Sequence, residues 1–192
     1  MPRPRAFDEQ QVLTAACEQF WDTGYAATSL DDLMSATGLG KGSLYGAFGD
    51  KRRLFLRALD DYNARILDAM RAALLDGPGS PWRRLETFML TTVVEQGLRG
   101  CLMANSVSEL TNHDPELLTR ARTFYTAQAG ILTECLDRAR AGHEIAADTD
   151  PGEQARLLLA TVQGLRFLQQ AGMSDAARAI AQSALDAIPK AG

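Results

Sequence analysis

Few residues in this chain are spaced for covalent chemistry. Its three cysteines, Cys17, Cys101 and Cys135, lie far apart, and its two histidines, His113 and His143, belong to no His-Glu-x-x-His or Glu-x-x-His pair. Scattered thiols fit a reducing compartment better than a disulfide framework or a zinc site, so neither metal nor cofactor is expected. A phosphate-cradling glycine loop, a nucleophile elbow and a paired acid and base are all missing from the sequence, which argues against an enzyme. Cys101 alone has a reason to react. Arg99 precedes it and a helix starts there, and both favour the thiolate. The plainer reading is a buried, inert cysteine.

Binding chemistry is concentrated between residues 28 and 51 instead. Thr28 and Ser29 each stand three residues before an aspartate, Asp31 and Asp32, as a helix-capping residue does before its box partner. Gly38-Leu39-Gly40 then makes a tight turn into Lys41-Gly42-Ser43-Leu44-Tyr45-Gly46-Ala47-Phe48, which Gly49-Asp50 ends. Two short helices joined by a glycine turn have a physical use. The first crosses a phosphate backbone and braces the second, which is short enough to enter a major groove end-on. Gly42 and Ser43 are small enough for close approach. Leu30, Leu33 and Met34 point inward, and Leu44 and Phe48 read as core. Lys51, taken alone, is more often a solvated charge, and Tyr45 alone divides evenly between core and surface.

Charge neither demands nor forbids such a partner. The 192 residues carry a net charge of −4. Residues 1–57 hold seven basic and seven acidic side chains, the acids mostly in the first two helical segments and the bases at the extreme N-terminus and from Lys41 onward. A DNA face would come from that segregation, not from bulk charge. Arg3 and Arg5, between Pro2 and Pro4, read either as a minor-groove arm or as a basic tail.

These residues need helices to hold them, and helical periodicity runs through the whole chain. The first helix is expected over Asp8–Thr23, with Val12, Leu13, Ala16, Cys17, Phe20 and Trp21 on one stripe and Gly24 as its stop. The two short helices follow, and Asp50 caps a long fourth helix running through Met70. Asp76 to Pro81 is the strongest loop. Further helices are expected over Trp82–Glu95, Leu102–Leu110, Asp114-Pro115 to Arg140, Asp150-Pro151 to Ala171, and Ser174–Ala187. The fold class is therefore all-α, with about nine helices. No apolar run approaches the roughly 18 residues that span a bilayer, and no signal-peptide core follows the basic start. A cytoplasmic protein with no membrane partner is expected.

The ordered string Thr28-Ser29-Leu30-Asp31-Asp32-Leu33, then Thr37 through Lys51, resembles the signature of the TetR family of transcriptional regulators. Ala15-Ala16 through Phe20 to Gly24-Tyr25 resembles its upstream part. The close likeness covers about residues 8–57. It implies a three-helix, helix-turn-helix DNA-binding domain over 1–57 and a helical effector-binding and dimerisation domain over 58–192. Thr28 or Ser29 would meet a phosphate at the helix start. Lys41, Gly42 and Ser43 would meet base edges or backbone, and Tyr45 and Lys51 would each reach a phosphate. Many relatives carry an aromatic residue or histidine at the position of Gly46, so one contact is missing here.

The resemblance also implies a homodimer on a palindromic double-stranded DNA operator, usually as a repressor, and a small-molecule effector that releases it. The dimer is expected from two stripes. One holds Leu158, Val162 and Leu165, with Ala155, Leu159 and Gly164; the other holds Ala176, Ile180 and Ala184, with Ala179, Ser183 and Ile188. An intramolecular core built from the same stripes is the alternative. The effector pocket is expected among Phe88, Met89, Thr92, Cys101, Met103, Asn105, Phe124, Tyr125, Gln128 and Gln163, which mix apolar walls with uncharged polar groups; each is equally suited to plain core. Gly100-Cys101-Leu102 resembles a Gly-Cys-Leu segment of a subset of the family, some of whose members sense electrophiles or oxidants through the cysteine. A rival to the regulator is a helical scaffold protein whose short helices merely pack.

Overall fold

The structure, a computed structural model, describes residues 7–93, 99–110 and 114–192, and the side chains of all of these except residues 92 and 93. Among the described residues there are nine α-helices and no strand: α1 (Glu9–Thr23), α2 (Leu30–Thr37), α3 (Lys41–Phe48), α4 (Lys51–Arg71), α5 (Pro81–Thr87), α6 (Leu102–Leu110), α7 (Pro115–Ala141), α8 (Pro151–Gln170) and α9 (Ala177–Asp186). Two helices run on into wider π turns, α4 over Ala72–Asp76 and α5 over Phe88–Val93. A short 3-10 turn, Ser174–Ala176, leads into α9.

The helix starts follow from local chemistry. Asp8, Ser29, Asp50, Asp114 and Asp150 each place a side-chain oxygen on an amide of the first turn, which otherwise has no intrahelical acceptor. Pro115 and Pro151 occupy first-turn positions, where the missing N–H costs nothing.

Two apolar cores result. The first gathers Ala16, Cys17 and Phe20 of α1, Leu33 of α2, Leu44 and Phe48 of α3, and Leu54, Phe55, Leu59 and Tyr62 of α4. It also takes in Cys101, Leu102 and Met103 of the α6 start and Leu117, Ala121 and Phe124 of α7. The second lies farther along and joins Met70 near the end of α4, and Leu74 and Leu75 of the π turn after it, to Leu85, Phe88, Leu132, Leu136, Leu158, Leu165, Ala181 and Leu185. Helix α4 contributes to both. Each fully buried aliphatic or aromatic side chain is worth about 1.5–3 kcal/mol, so α4 is held firmly along its length.

Candidate nucleic-acid interface

Helix α2 stops at Gly38, whose φ of 68° is left-handed and whose N–H bonds the Met34 carbonyl at 3.0 Å. Gly40 then opens α3 with no side-chain cap, so the first amides of α3 have no partner from a capping side chain and present a partly positive helix end. Leu44 and Phe48, 0% and 3% exposed, fix the inner face of α3 in the core. Lys41, Gly42, Ser43 and Gly46 lie on the outer face, all exposed, and Tyr45 is half-buried. A methyl group added at Gly42 or Gly46 would meet nothing within 4 Å. The outer face of α3 is thus open, smooth and backed by rigid packing.

The start of α2 is a complete capping box. The Asp32 N–H donates to Ser29 Oγ at 3.1 Å, and Asp32 Oδ2 accepts from the Ser29 N–H at 2.8 Å and from its hydroxyl at 2.7 Å. The Ser29 hydroxyl bond, and next the backbone bond, hold the exposed Asp32 carboxyl below its ordinary pKa. Thr28 departs from the phosphate-contact expectation. It is 1% exposed, and its hydroxyl donates to the Gly24 carbonyl at 2.6 Å and lies 2.7 Å from Thr23 Oγ1. Its side chain closes the preceding turn and has no surface to offer a phosphate, whereas Ser29 is exposed. Lys51 is half-buried: its ammonium donates to the Ala26 carbonyl at 3.4 Å and lies 4.6 Å from the Tyr25 ring centroid. Arg3 and Arg5 lie outside the described residues.

The second half separates positions that the sequence suggested were neighbours. Phe88 and Met89 belong to the second core, while Cys101, Met103 and Phe124 belong to the first, with Tyr125 packed against it. Asn105 is committed locally: its amide donates to the Arg99 carbonyl at 3.2 Å and accepts from Gln170 at 3.2 Å. The side chain of Thr92 lies outside the described ones. Gln128 is 2% exposed, and its carbonyl oxygen has no hydrogen-bond partner among the described residues; neither amide atom of Gln163 has one either. Cys101 is 1% exposed, and the Tyr62 hydroxyl donates to its sulfur at 3.8 Å. Burial pushes the Tyr62 and Tyr125 hydroxyls well above their ordinary pKa. Helix α8 also buries Arg166 and Gln169, at 8% and 2% exposure; both sit on the stripe of Ala155, Leu158 and Val162, whose spacing marks them as inward-facing.

The dimer stripe on α8 needs correcting. Leu158, Val162 and Leu165 are 0%, 4% and 1% exposed within a single chain. They pack into its own second core. The exposed face is the adjoining one: Leu157 at 49% and Phe167 at 70% on α8, followed by Met173 at 54%. On α9, Ile180 is 36% exposed and Ala184 is half-buried, as is Ala176 at the end of the 3-10 turn before it.

Residues 12–58 match the family model described as "Bacterial regulatory proteins, tetR family", and residues 83–185 match "Tetracyclin repressor-like, C-terminal domain". The chain belongs to the TetR family. The HTH-type transcriptional regulator YezE of Bacillus subtilis is 34% identical over 181 residues, covering 88% of this chain and 89% of that protein. The HTH-type transcriptional repressor ComR of Escherichia coli is 29% identical over 176 residues, covering 90% and 84%. Among solved structures, a cysteine-substituted form of the TetR-family regulator CifR, complexed with 26-base-pair operator DNA, superposes with a TM-score of 0.83 at 30% identity. That match covers 97% of this chain and 100% of CifR. The protein is a DNA-binding transcriptional regulator, and the α2–turn–α3 unit is its helix-turn-helix.

In this TetR-family chain, polar contacts join the helix-turn-helix region to the helices beyond it, and pattern reading passed over them. Arg52 at the start of α4 holds Asp114 at 3.0 Å and Glu116 at 2.7 Å. These bonds hold both carboxyl groups below their ordinary pKa. Arg120 of α7 pairs with Asp60 of α4 at 2.9 Å. Arg99 pairs with Glu18 and Asp22 of α1, each at 2.6 Å, and its carbonyl accepts from Trp21. Glu109 of α6 accepts from the backbone N–H groups of Tyr25 and Ala26 at 3.0 and 2.6 Å. Each partner lies at least 60 residues away in sequence, so no local motif announces it. Among the described residues, no helix is long and apolar enough to cross a membrane.

Proposed function

We propose that this regulator is a repressor that binds a palindromic operator as a homodimer and is released by a small-molecule effector. The exposed outer face of α3, free of side-chain bulk at Gly42 and Gly46 and braced by Leu44 and Phe48, carries the reading. Lys41, Ser43, Tyr45 and the α3 amides contact bases or backbone. Ser29 and Lys51 contact flanking phosphates. The repressor name of ComR and the operator-bound state of CifR support the assignment. A single helix-turn-helix rarely binds tightly alone, and two half-sites need two copies. The exposed face of Leu157, Phe167 and Ile180 supplies the surface for a second copy.

We divide the chain at residues 57 and 58, so the boundary falls inside α4. Effector binding favours a conformer in which α4 swings and the two recognition helices lose register with successive grooves. The effector moves that equilibrium only by its difference in affinity for the two states. The carbonyl oxygen of Gln128 and the amide of Gln163, without hydrogen-bond partners among the described residues, suit an effector with hydrogen-bonding groups. We place the chain in the Gly-Cys-Leu subset on Gly100-Cys101-Leu102 and give the buried Cys101 a packing role. The regulator acts in the cytoplasm.

The test is an operator titration with DNA flanking the gene, at several salt concentrations. Palindrome-dependent binding is expected. Lys51→Ala is expected to weaken it by about 1–3 kcal/mol on every sequence and to reduce the salt slope by about one. Absence of binding to all genomic fragments would favour a helical scaffold.

A further inference from the structure

We infer that Glu109 is a positioning residue for DNA binding, acting across the domain boundary through the α1–α2 turn on Lys51. The Glu109 carboxylate accepts two successive backbone N–H groups, from Tyr25 at 3.0 Å and Ala26 at 2.6 Å. Gly24 makes the approach possible. Its φ is 80°, and a β-carbon there would lie 3.2 Å from the Glu109 carboxylate. On its other side the same turn holds Lys51, whose ammonium donates to the Ala26 carbonyl and lies over the Tyr25 ring. Ala26 therefore links Glu109 to Lys51 through its own N–H and C=O, and Tyr25 repeats the link through its N–H and its ring.

This arrangement preorganises the operator-binding surface. Charge-assisted bonds to amides are the strong kind, and two of them fix a turn that leads directly into the Ser29 cap of α2. Helix α6 is anchored at its other end as well, where Arg99 meets Glu18 and Asp22 of α1. A shift of α6 is thereby transmitted to the turn, and a loosened turn no longer aims Lys51. Glu109 is exposed, so its removal leaves the turn amides to water and costs the fold little.

The inference rests on the operator-binding reading above. Its test compares full-length wild type, Glu109→Ala, Glu109→Gln, Lys51→Ala and the Glu109→Ala/Lys51→Ala double variant, by fluorescence anisotropy on the operator across a salt series. Glu109→Ala is expected to weaken binding roughly tenfold, about one charge-assisted contact, and to lower the salt slope. Glu109→Gln keeps an acceptor oxygen and should restore most of the affinity. The double variant should bind no more weakly than the weaker single variant, because both act through one contact. Amide exchange at Tyr25 and Ala26 should quicken in Glu109→Ala alone of the Glu109 variants. Additive losses, an unchanged salt slope, or tighter binding by both Glu109 variants (simple relief of charge repulsion) would each overturn the inference. A wild type that binds no operator would instead refute the operator-binding reading, and the inference with it.

Discussion

Replacing Gly46 by alanine separates the needs of the fold from those of its partner. Gly46 sits inside α3, where glycine costs a helix about 1 kcal/mol relative to alanine. Its added methyl would meet nothing within 4 Å. The free protein should therefore gain up to about 1 kcal/mol, raising its melting temperature by roughly 2–4 °C for a chain of this size. In the proposed operator complex the same methyl stands on the face that approaches the groove. Forcing an extra methyl into a closely packed contact costs about 1–3 kcal/mol, which corresponds to a dissociation constant roughly 5- to 150-fold weaker. Calorimetry on the free protein and anisotropy on the operator read the two quantities separately. Gly130→Ala, on α7, is the control, since that methyl also meets nothing: it should raise stability and leave operator affinity unchanged. A lower melting temperature for Gly46→Ala would show that the outer face of α3 is not open. An unchanged operator affinity would show that this face does not meet DNA closely.

Three further outcomes follow from the packing and the ion pairs. Leu158→Ala, which hollows the second core, should cost about 2–5 kcal/mol of folding stability, whereas Phe167→Glu should keep the helical fold and convert the proposed dimer to monomer in sedimentation; a dimer that survives Phe167→Glu would place the interface elsewhere. Arg52→Ala should flatten the acid side of the stability profile. Arg52 lowers the folded pKa of Asp114 and Glu116, so its contribution is complete above the ordinary carboxylate pKa of about 4 and disappears as pH falls through the lowered folded values. Urea midpoints of wild type and variant should accordingly differ at pH 6, converge in acid, and differ less with added salt because these groups are partly exposed; a gap that ignores pH would contradict the assignment.

How much could be read in advance depended on the range of each interaction. Caps act within three residues, so Asp8, Ser29, Asp50, Asp114 and Asp150 marked helix starts that the structure bears out. Leu44 and Phe48 were legible as core because the pattern on α3 has one apolar face. Helix α8 was ambiguous. Leu157-Leu158-Leu159 and Phe167-Leu168 place apolar side chains on neighbouring faces, and periodicity cannot say which face meets the chain's own core. Packing against α7 and α9 decides for Leu158 and leaves Leu157 outside. Thr28 misled for a different reason: a hydroxyl at a helix start can turn outward or close the preceding turn, and the Gly24 carbonyl lies within its reach. Glu109 and its turn are 83 and 84 residues apart, beyond any local rule.

The first core has a consequence for exchanging parts between relatives. Helices α1 to α4 do not close it alone; Cys101, Leu102 and Met103 at the α6 start and Leu117, Ala121 and Phe124 on α7 complete it. A chimera joined within α4 would pair one protein's helix-turn-helix with another's lid for that core, and mismatched side chains there would leave voids or clashes against α4. The transplantable unit is therefore discontinuous. It comprises the first four helices together with the inward faces of α6 and early α7, and grafts that respect that seam should retain both solubility and operator choice.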